Sequence, residues 1–357
     1  VDKLWWNHIT KAHKFMKDIV RTAVEGKSIL LSLPENVPWR NTLVELVEDQ
    51  LKLENPKNSF EIISCPEEEA GLYLLNRFCR EERRTSYRYG MTYASFLGQC
   101  EDTVLNDRYI WITDVPESKY DEWLNFIIEY SKSVTNKTPA IFILEIHKES
   151  FAQSAKKGLK KIIFNQNIGA YDKFAFCALA ATENNCKDYL RPYLAELVST
   201  LCREDVELCA ECVHMGNQFL EDSIPVIHHI QEEKYRSDGK SYEFSKTDEE
   251  IKKLIWETQL KHVFPAIEKY RSYFIKKYYD VINSALPISN SYGELVDKPE
   301  DVEIGTLLYL AGNGKIPVST NEYSELEQYR NSRNKLAHLN ILESHAVDFI
   351  LKRQIPN

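Results

Sequence analysis

The sequence predicts an α/β domain on a parallel sheet, then a helical extension and an all-α bundle. Three observations predict it. Short apolar runs alternate with segments of helical period over residues 1–150. Strands largely stop beyond about residue 151. Gly (12) and Pro (13) are few among 357 residues, which disfavours a turn-dense β architecture. We divide the chain into an α/β domain (1–150), a helical extension and linker (151–245) and a helical domain (246–357).

The elements follow in order. Residues 4–25 place Trp5, Ile9, Ala12, Phe15, Met16, Ile19 and Val20 on one helical stripe, with Gly26 as a C-cap. Ser28 to Leu33 is an apolar run that reads as a buried strand, and Thr42 to Leu51 as a helix. Strands at 60–64, 109–114 and 140–145 alternate with helices at 67–79 and 120–130. Solidly apolar strands separated by helices are the pattern of a parallel sheet covered on both faces. Residues 186–220 read as one or two helices and the polar stretch 235–247 as a linker. Thr247 and Glu250 form a capping box before a helix over 248–284, which Pro265 should kink or split. A loop over 285–302 and helices at 303–312, 321–339 and 341–352 complete the chain.

Composition narrows the function. Hydrophobic residues make up 43% and charged residues 28%, as in ordinary globular proteins. Lys and Arg number 45 against 54 Asp and Glu, so nucleic acid contact would need a local basic patch. No apolar run reaches the length of a membrane span, and the first residues hold no signal-peptide core. The chain begins at Val1 and not Met, as a trimmed piece or part of a longer protein would. Eight irregularly spaced Cys do not form a disulfide framework, and we expect a reducing, cytoplasmic compartment.

Lys27 to Leu51 has the layout strand, loop, helix start, where backbone N–H groups can hold a phosphate. The loop, Leu33 to Thr42, has no Gly and no Lys, two prolines, an acid (Glu35) and a bulky Trp39. Arg40 is its one cation. Ile110 to Asp114 looks like an apolar strand ending in an acid, and Ile141 to Glu145 like its neighbour. Together these resemble a P-loop domain of the AAA/STAND type whose nucleotide loop has decayed; any doubly wound α/β domain is the simpler alternative. The resemblance without its Gly and Lys implies no nucleotide hydrolysis, and we expect no cofactor and no metal.

The sharpest feature is Arg330-Asn331-Ser332-Arg333-Asn334-Lys335-Leu336-Ala337-His338. Asn334 and His338 are four apart and share a helix face, with Arg333 at its edge. These types suit metal-independent RNA cleavage. A neutral His takes the proton of a ribose 2′-OH, the oxygen attacks the adjacent phosphorus, and a guanidinium offsets the charge that builds up. The motif resembles R-x(4–6)-H of the HEPN superfamily, helical bundles with the motif near the start of the last core helix. The resemblance implies Arg333, Asn334 and His338 as catalytic residues, an RNA substrate, and a homodimer or a second HEPN-bearing partner. It also implies a toxin or antiviral-defence effector. Glu303, Glu268 and Arg271 are candidate supporting residues: an acid near His338 would fix its tautomer, while an Arg–Glu pair one turn apart also serves as a plain clamp. The rival reading is a non-catalytic scaffold that dimerises through the bundle and offers the first domain to a protein partner.

Other signals weigh less. Cys209 and Cys212, with His214, form a lone metal half-site in an apolar helix and read as buried free thiols. Arg83, Arg84, Tyr87, Arg88 and Tyr89 mix cations and aromatics but read as a solvated helix exit. Lys156-Lys157 and Lys160-Lys161 make a small basic face, and Trp5-Trp6 a packing anchor.

Overall fold

Five segments pair, all parallel, into one sheet in the order β2-β3-β4-β1-β5. The strands are β1 (Ile29–Ser32), β2 (Ser59–Ser64), β3 (Arg108–Thr113), β4 (Ile141–Ile146) and β5 (Lys160–Ile163). Every residue of β1 and β4 is buried, because helices cover both faces, and that is why both read as unbroken apolar runs. The computed structural model describes residues 1–88, 90–100, 105–135, 138–154, 158–164, 168–289, 293 and 295–353. Within it the chain divides into two units, Val1–Asp172 and Lys173–Asn357.

The first unit wraps its sheet with α1 (Asp2–His8), α2 (Thr10–Val24), α3 (Arg40–Glu54), α4 (Ala70–Phe78), α5 (Glu81–Arg84), α6 (Tyr93–Gln99), α7 (Tyr120–Ser133) and α8 (Glu149–Ser154). One apolar layer joins Phe142, Trp123, Tyr130 and Leu97 beneath α6 and α7. Trp5 and Trp6 are wholly buried, and Trp6 packs on Phe164 at 5.8 Å, as an anchor should. The predicted 4–25 helix breaks at Ile9, whose backbone is extended.

The strands do not end near residue 151. Lys160–Ile163 pairs with β1 along its whole length, Ile29 opposite Lys160 and Ser32 opposite Ile163. Its two lysines hide it in the sequence: charges are tolerated at a sheet edge, where they discourage further pairing.

The second unit is helical: the rest of α9 (Ala170–Thr182), then α10 (Arg191–Leu201), α11 (Val206–Met215), α12 (Asn217–Glu221), α13 (Ser223–Glu233), α14 (Asp248–Lys277), α15 (Tyr279–Ser284), α16 (Ile304–Gly312), α17 (Thr320–Ala337) and α18 (Ser344–Lys352). Two-residue strands β6 (Ile288–Ser289) and β7 (Leu295–Val296) pair antiparallel inside the expected loop. The capping box at Thr247 and Glu250 forms as predicted.

Pro265 does not split α14, which runs unbroken for 30 residues and ends at Tyr278. Pro265 lies on the exposed face. There the carbonyl that loses its partner four residues back is within reach of water, so the missing bond costs little.

The polar stretch 235–247 is not a free linker. Arg236 is 4% exposed and Tyr242 7%. The Arg236 guanidinium pairs with Asp205 at 2.5 Å and Glu207 at 3.4 Å, both carboxylates buried. Asp205 also caps α11 and accepts from the Glu243 backbone N–H. Glu207 accepts from the backbone and hydroxyl of Ser237. Burial works against the Arg236 charge, but Asp205 and Glu207 outweigh it and hold the group protonated more firmly than usual.

Candidate functional site

The loop after β1 ends at Trp39, which takes left-handed backbone angles (φ 44°) and caps α3 without a side-chain bond. Its carbonyl accepts from the Trp6 indole at 3.3 Å. Arg40, the first residue of α3, does not stand open to an anion. Its guanidinium makes a two-point pair with Glu145 near the end of β4, at 2.7 and 2.6 Å. Glu145 is 2% exposed and also accepts from the Trp111 indole at 2.7 Å. Asp114 accepts from the hydroxyls of Ser64 and Thr113. An internal carboxylate thus satisfies the one cation where a helix start would otherwise meet a phosphate.

The C-terminal motif occupies the last turns of α17. The resemblance expects it near the start of the last core helix; here it closes α17, and His338 is that helix's C-cap. His338 is exposed, Arg333 and Asn334 are half-buried, and Leu336 between them is fully buried. The turn is a Schellman motif: Leu339 N–H bonds the Leu336 carbonyl at 3.2 Å and Asn340 N–H the Lys335 carbonyl at 3.0 Å. Leu339 stands at the left-handed position, φ 62°, that usually takes Gly.

Two residues of α14 hold this turn, and sequence reasoning missed both. The Trp256 indole donates to the Leu336 carbonyl at 2.8 Å. Gln259, 2% exposed, donates to the Leu342 carbonyl at 2.9 Å and accepts from the Leu342 N–H at 2.7 Å. Neither sits in a motif; the pairs span 80 and 83 residues, so nothing local signals them.

The supporting candidates gather at the start of α16. Glu303, its N-cap, pairs with Arg333 at 3.6 Å. Arg271 donates to Glu268 at 2.8 Å and to the carbonyls of Glu300 and Val302. It therefore fastens the turn that delivers Glu303. Among the described residues, the His338 ring has no hydrogen-bond or ion-pair partner.

The N-terminus of α17 is fixed by its own box. Ser319 accepts from the Glu322 N–H, and Glu322 accepts from Ser319, Tyr278 and Lys277. The Lys277 ammonium first, then the Ser319 N–H, hold the Glu322 carboxyl down at about 2. A depressed carboxyl stabilises the fold above its unfolded value of 4.5, and that contribution is lost as pH falls from there toward 2. Carbon-detected NMR of the Glu322 carboxyl should find its midpoint near 2; a midpoint above 4 would refute the contact.

The CxxC cysteines are buried free thiols. Cys202 and Cys212 lie 3.7 Å apart, and Cys209 donates to the Cys202 carbonyl. Burial first, and a neighbouring thiol next, push Cys177 and Cys202 well up, so they stay protonated. No group of three or more metal-ligating side chains forms among the described residues. Arg84 is spent on the carbonyls of Cys79 and Asn76, and Tyr87 stacks on Tyr93. Tyr89, Lys156 and Lys157 lie outside the described residues. No described helix is long and apolar enough to cross a membrane.

No family model matches this chain, and no curated protein matches it. Among solved structures, three single-residue variants of RuvB from Thermotoga maritima align with it. They share 10%, 10% and 11% identity, with TM-scores of 0.36, 0.34 and 0.36. Each alignment covers 86% of this chain and 94–95% of the other. Such scores say nothing of activity. The architecture rests on the sheet: the chain leaves β1 toward β2 and later crosses to β5 on its other side, a reversal that places a crevice at the end of β1. The first unit is a doubly wound α/β domain on a five-stranded parallel sheet, followed by a helical unit.

Proposed function

We propose that the second unit is a HEPN-like, metal-independent endoribonuclease, and that the P-loop-like unit is a sensor or scaffold that hydrolyses no nucleotide. One observation carries this reading: an exposed His338 at the end of α17, beside half-buried Arg333 and Asn334 on the same turns. The imidazole would take the 2′-OH proton. The Arg333 guanidinium would grip the phosphate and Asn334 orient the ring or the phosphate. The products are a 2′,3′-cyclic phosphate and a 5′-OH. A second motif would come from another copy or from a HEPN-bearing partner. The biological role proposed is that of a toxin or antiviral-defence effector.

One contact favours the non-catalytic alternative. Glu303 already neutralises Arg333 in part, as in a structural clamp between α16 and α17. The experiment incubates the full chain with labelled RNA and the matching DNA in EDTA. RNA alone should be cut. His338→Ala should slow cutting by about 10²–10⁴-fold and Arg333→Ala by about 10²–10³-fold. Equal cutting by all three proteins moves the chemistry elsewhere. No cutting at any protein concentration favours the scaffold.

A further inference from the structure

A basic groove of about 310 Å³ runs between α2 and β5 of the first unit. Lys11, Lys14, Arg21, Lys160 and Lys161 line it, with Asp18 the one acid in the lining; Lys11 pairs with Asp172 at 3.6 Å and the Lys161 ammonium donates to the Gln153 carbonyl at 3.0 Å. Asp18 is taken by Arg21 at 2.8 Å. The local surplus stands out in a chain of net charge −9. Lys14 and Lys160 are exposed and form no ion pair among the described residues. Phe15 and Phe164 form the floor, 7% and 6% exposed.

Among the described residues, the groove also follows an unpaired sheet edge. β5 pairs only with β1 among the described strands. Lys160 N–H bonds the Ser28 carbonyl and Phe164 N–H the Ser32 carbonyl. By the alternation of a parallel ladder, the N–H and C=O groups of Lys161 and Ile163 are then directed off the sheet. A main chain matches that row of donors and acceptors; a phosphodiester chain does not. The floor rings are too buried to stack on bases.

We propose that this groove binds an extended acidic peptide segment of a partner protein, which adds as a strand beside β5. Main-chain bonds to Lys161 and Ile163 give register, and the exposed Lys14 and Lys160 select carboxylate side chains. Four residues of β5 set a contact of about 13 Å, enough for four or five residues of the guest. The inference is independent of the nuclease reading.

The test uses the full chain and a fluorescein-labelled peptide of alternating Glu and Val, read by anisotropy. A Lys–Val peptide and a single-stranded RNA serve as comparisons. The Glu–Val peptide should bind, weaken with salt, and lose about tenfold in affinity or more with Lys14→Glu plus Lys160→Glu. Its binding should slow hydrogen exchange at the Lys161 and Ile163 amides. An unchanged melting temperature shows that the doubly substituted chain is folded. Unchanged affinity in that variant overturns the proposal. So does tighter binding of RNA at these residues, or no binding at millimolar peptide, which would leave the lysines as edge guards only.

Discussion

Arg236→Ala should cost the second unit about 3–5 kcal/mol, the penalty for leaving buried charge unpaired. Two carboxylates, Asp205 at 1% and Glu207 at 3% exposure, would face each other without their cation. Their backbone bonds to Glu243 and Ser237 would then hold like charges together. A domain of ordinary stability has only about 5–15 kcal/mol to lose. Urea unfolding should show the loss, and limited proteolysis should cut within 235–247 under conditions where the parent chain resists. Adding Asp205→Asn and Glu207→Gln should recover part of it, because the penalty is charge and not packing. A change under 1 kcal/mol for Arg236→Ala would mean that the cluster is not what orders the segment.

Breaking the Arg40–Glu145 pair should be costly and asymmetric. Among the described residues, Arg40→Ala leaves the Glu145 carboxylate, 1% exposed in its side chain, with only the Trp111 indole. We expect about 3–5 kcal/mol. Glu145→Gln keeps an acceptor for Trp111, and the remaining guanidinium, 29% exposed, can turn to water. We expect about 1–3 kcal/mol there. A double-mutant cycle by denaturant unfolding reads the coupling directly. Equal costs, or a smaller cost for Arg40→Ala, would contradict the burial argument.

The same pair shows where reading the chain stops. The missing Gly and Lys after β1 are local and visible, and they argue against nucleotide chemistry. That Glu145 fills the place of an anion is a relation across 105 residues, which no spacing encodes. The Arg236 cluster is similar. A polar run poor in aliphatic residues looks solvated until the fold brings two acids from the start of α11 to one arginine. Pro265 gave the opposite error: its local rule held, but exposure to water removed the consequence.

By itself the sequence determined the periodicity, hence the alternation of strands and helices, the capping box at Thr247 and Glu250, and a helix carrying Arg333, Asn334 and His338. These depend on neighbours within a turn or two, where geometry repeats. Tertiary structure alone decided that β5 joins the sheet as its edge strand, that 235–247 is pinned, that Arg40 is neutralised, and that Trp256 and Gln259 hold the motif turn. Those outcomes depend on desolvation and charge pairing between residues far apart in the chain, which have no energy until folding brings them together.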